Sequence, residues 1–312
     1  MKLSDIGENK VIEIIKENIS DCESLISEIG NEDCAIIDYS DKKLAYTSDL
    51  LTRDRHFPKE TPYKDIGWKL IAVNLSDIAS MGAKPLFSTT SMGLPDLEEK
   101  KLDEITRGMQ ECSKNFDLCQ VGGDITKNEE IILNTSIIGE IEINPLYRKN
   151  AQPNQFVAVT NPIGTAGFGI KVIKNNLEIN DKVKEKAFKA LFQPKPRIKE
   201  GLTLSKKPKV AAIDVSDGLS ISLKQLSNAS GCGFNIQTQK IPFDKEILKE
   251  ANEKGYQKQD LIDIGDDYEL LFTTSDQKLI KKIDAKIIGK TRKKKGIWFD
   301  NKRREIRGYR HF

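Results

Sequence analysis

The residues best suited to chemistry in this 312-residue chain are carboxylates set among small hydroxyl and glycine residues. They lie in Thr47-Ser48-Asp49, Asn74-Leu75-Ser76-Asp77, Gly122-Gly123-Asp124, Asp214-Val215-Ser216-Asp217-Gly218, Gly265-Asp266-Asp267-Tyr268 and the Glu32-Asp33 pair before Cys34. Most follow an apolar run that reads as a buried strand, which places the acids at strand ends. Oxygen donors of this kind suit Mg²⁺, and the neighbouring backbone amides suit phosphate oxygens. A single Asp after a strand is ordinarily a helix cap or turn residue, and Asp217, ahead of an amphipathic stretch, fits that role best. Capping needs only one oxygen per helix, however, and Ser, Thr or Asn would serve. An acid at every such position points to a shared site. Carboxylates brought within about 4–6 Å raise one another's pKa unless cations sit among them, so the pattern implies metal-bridged phosphate chemistry.

Two common phosphate-binding devices are missing. The chain has no G-x-x-x-x-G-K-[ST] loop and no H-R-D or D-F-G signature. The glycine-rich stretch 164–169 reads as a tight strand–helix turn. Gly122-Gly123-Asp124 reads as the better phosphate contact: glycines after a strand let amides approach an anion, and the acid binds its ion. His56 is either a structural loop histidine or a group that holds an anionic substrate. Arg148 is either a solvated arginine or a phosphate fork. The basic run 290–295 reads as a solvated hairpin tip.

The elements that position these groups follow an α/β pattern. A helix with Val11, Ile12, Ile15 and Ile19 on one face opens the chain. Residues 34–48 read as a hairpin turning at 38–43. A helix over 64–81 buries Trp68, Ile71, Leu75 and Ile78 and stops at Gly82, with Asp77 on another face. Strands follow at 86–93, 118–121 and 131–141, with a helix after Pro95-Asp96. The polar stretch 144–154 reads as a linker. A second α/β pattern begins at Phe156, with strands near 156–159, 210–213, 233–238, 268–274 and 285–289, helices over 170–205 and a helix after Gly218. The fold class is therefore α/β, with domains 1–144 and 145–312 facing one cleft.

Composition narrows the classes further. Lys and Arg number 50 against 47 Asp and Glu, so no net basic field favours nucleic acid. Five cysteines without a C-x-x-C pair argue against a disulfide framework or thiolate zinc site and fit a reduced compartment. No apolar stretch approaches the roughly 20 residues that span a bilayer. The expectation is a cytoplasmic protein with no membrane or nucleic-acid partner.

Taken together, the acidic segments carry a resemblance. Thr47-Ser48-Asp49 with His56-Phe57, the block Ala72-Val73-Asn74-Leu75-Ser76-Asp77-Ile78-Ala79-Ser80-Met81-Gly82-Ala83, and Val121-Gly122-Gly123-Asp124 resemble the thiamine-monophosphate kinase family. So do Asp214-Val215-Ser216-Asp217-Gly218-Leu219, Asp266-Asp267-Tyr268-Glu269-Leu270-Leu271-Phe272 and the ending Arg307-Gly308-Tyr309-Arg310-His311-Phe312. The match is collinear over nearly the whole chain. The second block marks the wider superfamily of aminoimidazole ribonucleotide synthetase-like ATP-binding proteins. The resemblance implies that two-domain fold, a homodimer formed through the N-terminal domain, and direct transfer of the γ-phosphoryl group of ATP to thiamine monophosphate. It implies that Asp33, Thr47, Ser48, Asp49, Asp77, Asp124, Asp214 and Asp217 hold several Mg²⁺ ions. Gly123, Asp124, Arg148 and Ser216 would contact ATP, and His56, Glu269 and Tyr309 would contact thiamine monophosphate. A phosphate acceptor is already deprotonated enough to attack, so no general base is assigned.

The chain departs from the family at three places. Gly30-Asn31-Glu32-Asp33-Cys34-Ala35 has one residue extra, with Asp33 aligned to the second acid. Ile125-Thr126-Lys127 stands where Thr-Thr-Arg is frequent, and Asp266 where Glu is common. The rival readings are another enzyme of the superfamily or a non-catalytic nucleotide-binding module. Against two of the enzymes stand the absence of a terminal cysteine tail and of a glycine-rich, cysteine-bearing N-terminus.

Overall fold

The computed structural model describes residues 2–19, 22–27, 29–304, 306 and 308. Helix α1 (Leu3–Glu17) precedes strands β1 (Ala35–Tyr39) and β2 (Lys42–Thr52). Then come α2 (Arg53–His56), α3 (Tyr63–Ser80), β3 (Lys84–Leu94), α4 (Glu99–Asn115), β4 (Cys119–Lys127) and β5 (Ile132–Ile141). These strands form one sheet in the order β1-β2-β5-β3-β4. The second half runs β6 (Phe156–Val159), α5 (Thr165–Lys174), α6 (Asp181–Phe192), α7 (Ile198–Leu204), β7 (Ala211–Asp214), α8 (Leu219–Ser230) and β8 (Gly233–Ile236). It closes with α9 (Lys245–Glu253), α10 (Lys258–Leu261), β9 (Leu270–Thr274), α11 (Gln277–Lys282), β10 (Lys286–Arg292), β11 (Gly296–Phe299) and β12 (Lys302–Arg303). Its sheet has the order β12-β11-β8-β10-β6-β9-β7.

Helix α3 is the spine of the molecule. It is buried on nearly every side, as its run of Ile71, Ala72, Val73, Leu75 and Ile78 requires, and it packs on β2 and β5 of the first sheet and on β7 of the second. One continuous core accordingly joins Ile71, Leu75 and Leu133 to Ala212, Leu270 and Phe272. The hydrophobic core does not divide at residue 144.

The first sheet alternates cleanly. On β5, Leu133, Thr135 and Ile137 are buried under α3, while Asn134, Ser136 and Ile138 face outward. That outer face is open and carries Tyr46, Leu50 and Phe87. Strand β4 lies on the edge beside it, exposed along its whole length.

Several expectations need correction. Gly122-Gly123-Asp124 does not follow a strand but lies inside β4, which continues to Lys127 past a bulge opposite Ser88 and Thr89. Thr47-Ser48-Asp49 is likewise in mid-strand and not at a strand end, whereas Asp77 lies in the helix expected over 64–81. The expected helical face of Val11, Ile12, Ile15 and Ile19 is cut short, because α1 ends at Glu17, and Ile15 and Ile19 are each about half exposed. Residues 293–295 do not tip a hairpin, because β10 and β11 flank β8 on opposite sides and do not pair with each other. Tyr309 and the rest of the expected C-terminal motif, apart from Gly308, lie outside the described residues.

Candidate functional site

The acids of both sheets meet at one end of α3. Asp33 precedes β1, Asp77 lies on α3 and Asp214 ends β7, yet one carboxylate oxygen from each lies within 4.8 Å of the others. Local chemistry explains their placement. Thr47 Oγ1 donates to Asp77 at 2.6 Å, and Ser76 Oγ donates to Asp214 at 2.7 Å. Asn74 Oδ1 accepts the Asp49 amide at 3.0 Å, which ties β2 to the same helix. Ser216 Oγ reaches the second Asp214 oxygen at 3.2 Å. Asn74 and Ser76 had no role assigned from sequence, although both stand in the quoted block with Asp77.

Arg148 stands behind this trio. The residue is buried, its guanidinium donates to Asp33, and its backbone amide donates to Glu32 at 3.0 Å. Of the two readings of Arg148 the solvated one is therefore excluded. The extra residue in the 30–35 segment leaves Asp33 in the trio and turns Glu32 toward Arg148. Burial, the largest influence, pushes the Glu32 carboxyl up to about 7.

The trio is short of positive charge. Burial first and Asp33 second push Asp214 up to about 8, and burial with Asp49 and Asp214 pushes Asp77 well above the usual carboxylate range. The second oxygen of Asp33 is buried and has no hydrogen-bond partner among the described residues. An oxygen-only donor set with repelling carboxylates and an orphaned buried oxygen has the chemistry of a hard divalent-cation site, so the residues present fit Mg²⁺.

A cleft of about 650 Å³ opens from the trio. Asp49, Asp77, Asp214, Ser216, Asp217 and Asp266 are its acidic and hydroxyl lining. Leu51, Pro58, Ile170, Ile173 and Leu191 are apolar lining, and Arg55, His56 and Lys174 add basic groups. His56 Nδ1 accepts the Thr52 amide at 3.1 Å, so its neutral form carries the proton on Nε2. Asp217 does not cap α8: Ser220 N–H donates instead to Asp263, and Gly218 stands at the N-cap. Of the glycine-rich stretch 164–169 only Gly164 is a turn residue: it stands at the N-cap with its amide donating to Asp267, and 165–169 are already helical in α5.

Some expected site residues stand apart from the trio. Ser48 points to the other face of the sheet, where it meets Asn134 and Ser136. Register places Asp124 beside Ser91 and Ser91 beside Asn134, so Asp124 shares that outer face with Ser48. A single cluster holding every acid is therefore not what this chain forms; the sheet separates Ser48 and Asp124 from the rest. Gly123 is required for packing, since a Cβ there would stand 1.9 Å from the Thr90 carbonyl oxygen. Glu269 is buried and accepts from Arg197 Nε at 2.7 Å and from Thr160, and it is not among the residues lining the cleft. Arg197 and Thr160 carried no sequence signal, because their partner lies far along the chain.

The sequence and fold are similar to those of known proteins. Residues 31–141 match the family described as AIR synthase related protein, N-terminal domain. A thiamine-monophosphate kinase of Buchnera aphidicola subsp. Acyrthosiphon pisum is 33% identical, covering 92% of this chain and 93% of its own length. One from Methanopyrus kandleri is 30% identical, with coverages of 93% and 91%. The solved structure of AaThiL complexed with AMPPCP and TMP superposes with a TM-score of 0.92 at 28% identity, over 100% of this chain and 99% of that one.

Proposed function

The chain belongs to the thiamine-monophosphate kinase family, and from that membership and its buried acid trio we propose that it transfers the γ-phosphoryl group of ATP directly to thiamine monophosphate, giving thiamine diphosphate and ADP. The observation that carries this reading is the convergence of Asp33, Asp77 and Asp214 beside a cleft that Asp77 and Asp214 line together with apolar residues. The acids suit a cation-bound polyphosphate, and the apolar lining suits an organic substrate.

Mg²⁺ is the cation that best fits these oxygens, with Asp33, Thr47, Asp49, Asp77, Asp214 and Asp217 as its holders around the cleft. Bound there, it supplies charge neutralisation and alignment for phosphates that would otherwise repel. Ser48 and Asp124 are proposed for a further ion at the outer face. Arg148 and Ser216 brace the nucleotide side together with Gly123 and Asp124. His56, which lines the cleft, keeps the substrate contact implied by the family. Glu269 and Tyr309 keep the substrate contacts implied by the family, Glu269 sharing its carboxylate with Arg197. The chain's own contribution is position: buried α3 holds Asn74, Ser76 and Asp77 in fixed relation, and no side chain needs to accept a proton. The functional boundary is placed at 144/145, with the N-terminal part supplying Asp33 to Asp124 and the C-terminal part the rest. Free cysteines at 22, 34, 112, 119 and 232 suit a cytoplasmic setting, and no helix among the described residues is long and apolar enough to cross a membrane.

Purified protein given ATP, Mg²⁺ and thiamine monophosphate should yield thiamine diphosphate by product chromatography. Recovery of the monophosphate alone, from protein shown to bind ATP, would sink the proposal.

The open sheet face supports a homodimer. Its exposed Tyr46, Leu50 and Phe87 lie on the same sheet as β4, whose outer edge is open, a combination that invites a second copy. That copy would cover Ser48 and Asp124 and bring the outer ion site under the interface. Light scattering should give a dimer at micromolar concentration, and Phe87→Asp should raise its dissociation constant by about 30-fold or more. A wild-type protein that stays monomeric in that range would remove this part of the reading.

A further inference from the structure

One buried cation beside the cleft has no part in the chemistry described so far. Lys69, on α3 about two turns before Asp77, has a side chain only 1% exposed, and its Nζ lies 3.0 Å from Asp266 Oδ1. Asp266 is reached from the other half of the molecule. Its amide donates to the Ser216 carbonyl at 2.7 Å, and the Tyr268 amide donates to the Val215 carbonyl at 3.0 Å. The Tyr268 side chain also hydrogen-bonds Asp266.

The loop is held in an unusual backbone shape. Asp266 and Tyr268 both have positive φ, 62° and 51°, and Gly265 has φ 99° with the Ser216 carbonyl oxygen 2.1 Å from where a Cβ would stand. Non-glycine residues occupy this region only when their surroundings hold them there. Lys69 is the side chain from the opposite half that grips this loop.

We propose that the Lys69–Asp266 pair is a positioning element of the phosphoryl-transfer site, holding the Gly265–Tyr268 loop, and through it the Asp214–Asp217 segment, in register with Asp77 on α3. The inference rests on the phosphoryl-transfer reading. The chemistry of the pair suits the task. An ammonium buried against a single carboxylate is costly to separate, so it fixes distance firmly. Because both charges are spent on each other, the pair adds rigidity without adding net charge to the acids. Tyr268, hydrogen-bonded to the same carboxylate, is fixed as part of the cleft wall.

The test uses Lys69→Met, Asp266→Asn, their combination, and Asp266→Glu as the conservative replacement. In each, kcat, KM for both substrates, the Mg²⁺ concentration that half-saturates turnover, and Tm are measured. Lys69→Met and Asp266→Asn are expected to lower kcat at least about 30-fold while both KM values stay within about threefold. The half-saturating Mg²⁺ should rise, the double variant should be no worse than the poorer single variant, and Asp266→Glu should recover most of kcat. Folded single variants with near-normal kcat and Mg²⁺ dependence, or single effects that multiply in the double variant, would overturn the proposal. Should Lys69→Met fail to fold, Asp266→Asn, whose side chain is partly exposed, decides the matter. Should the wild type make no thiamine diphosphate, the functional reading fails by itself. The pair is then judged by the Mg²⁺-induced rise in Tm: a several-fold weaker Mg²⁺ midpoint in Asp266→Asn upholds it, and an unchanged midpoint overturns it.

Discussion

Asp77→Asn should lower turnover by about 10²–10³-fold while leaving the metal-free protein folded and slightly more stable. Asparagine has nearly the same shape and keeps an oxygen to accept from Thr47 Oγ1, so the contact at 2.6 Å survives. What disappears is a buried acid facing Asp49, Asp214 and Asp33; burial first and then repulsion from these three already drive the Asp77 carboxyl toward its protonated form. Relief of that repulsion should raise the metal-free Tm by about 1–3 °C. Addition of Mg²⁺ should then stabilise the variant much less than the wild type. Calorimetry with and without Mg²⁺, run beside a turnover assay, checks both halves. Near-normal turnover would remove Asp77 from the metal-holding set, and a lowered metal-free Tm would mean the carboxylate is there for structure.

The stabilisation by Mg²⁺ should itself grow with pH. Asp214 is moved from its ordinary 3.8 up to about 8, chiefly by burial and then by Asp33. A carboxyl whose pKa is higher folded than unfolded favours the folded state fully below about pH 4. That contribution is lost as pH rises toward about 8. Asp77 is shifted in the same direction. The metal-free protein should therefore lose Tm across this window. Mg²⁺ competes with those protons, so its binding tightens over the same range. At saturating Mg²⁺, about 100 times its dissociation constant, the gain near pH 8 should be about 4 °C, falling toward zero near pH 5. A rise in Tm that is equal at both pH values would show that Mg²⁺ binds elsewhere. The same titration performed on Asp77→Asn separates the two acids.

Much of this arrangement was legible in the sequence. The periodicity of α3 and β5 and the acids in the collinear motifs pointed to their positions because those signals are local. What could not be read was set by partners far along the chain. Gly122-Gly123-Asp124 looked like a turn because two glycines ordinarily end a strand; in β4 a bulge and the closeness of Thr90 make glycine necessary inside one. Ser48 and Asp49 are neighbours, but strand alternation sends them to opposite faces of the sheet. Recognising this required knowing that β2 continues to Thr52. Asp217 looked like a helix cap because the residue that takes the Ser220 amide, Asp263, comes from another segment. Lys69 offered a faint signal, a lysine just before the apolar run Leu70–Val73, but only Asp266 explains it.

The distances between those partners along the chain have a consequence for how the protein is made. Ser76 and Asp214 are 138 residues apart, and Arg148 and Asp33 are 115 apart. A ribosome must deliver Asp214, and the β9 strand that pairs with β7, before the acids can be held together. Contacts between such remote residues require large loops to close first, so they form late in folding. A cation held by these acids would therefore not template the fold as a structural zinc does a finger. It would seal a chain already assembled, and a partly synthesised chain would expose Asp33 and Asp77 to water, free of the repulsion that marks the finished site.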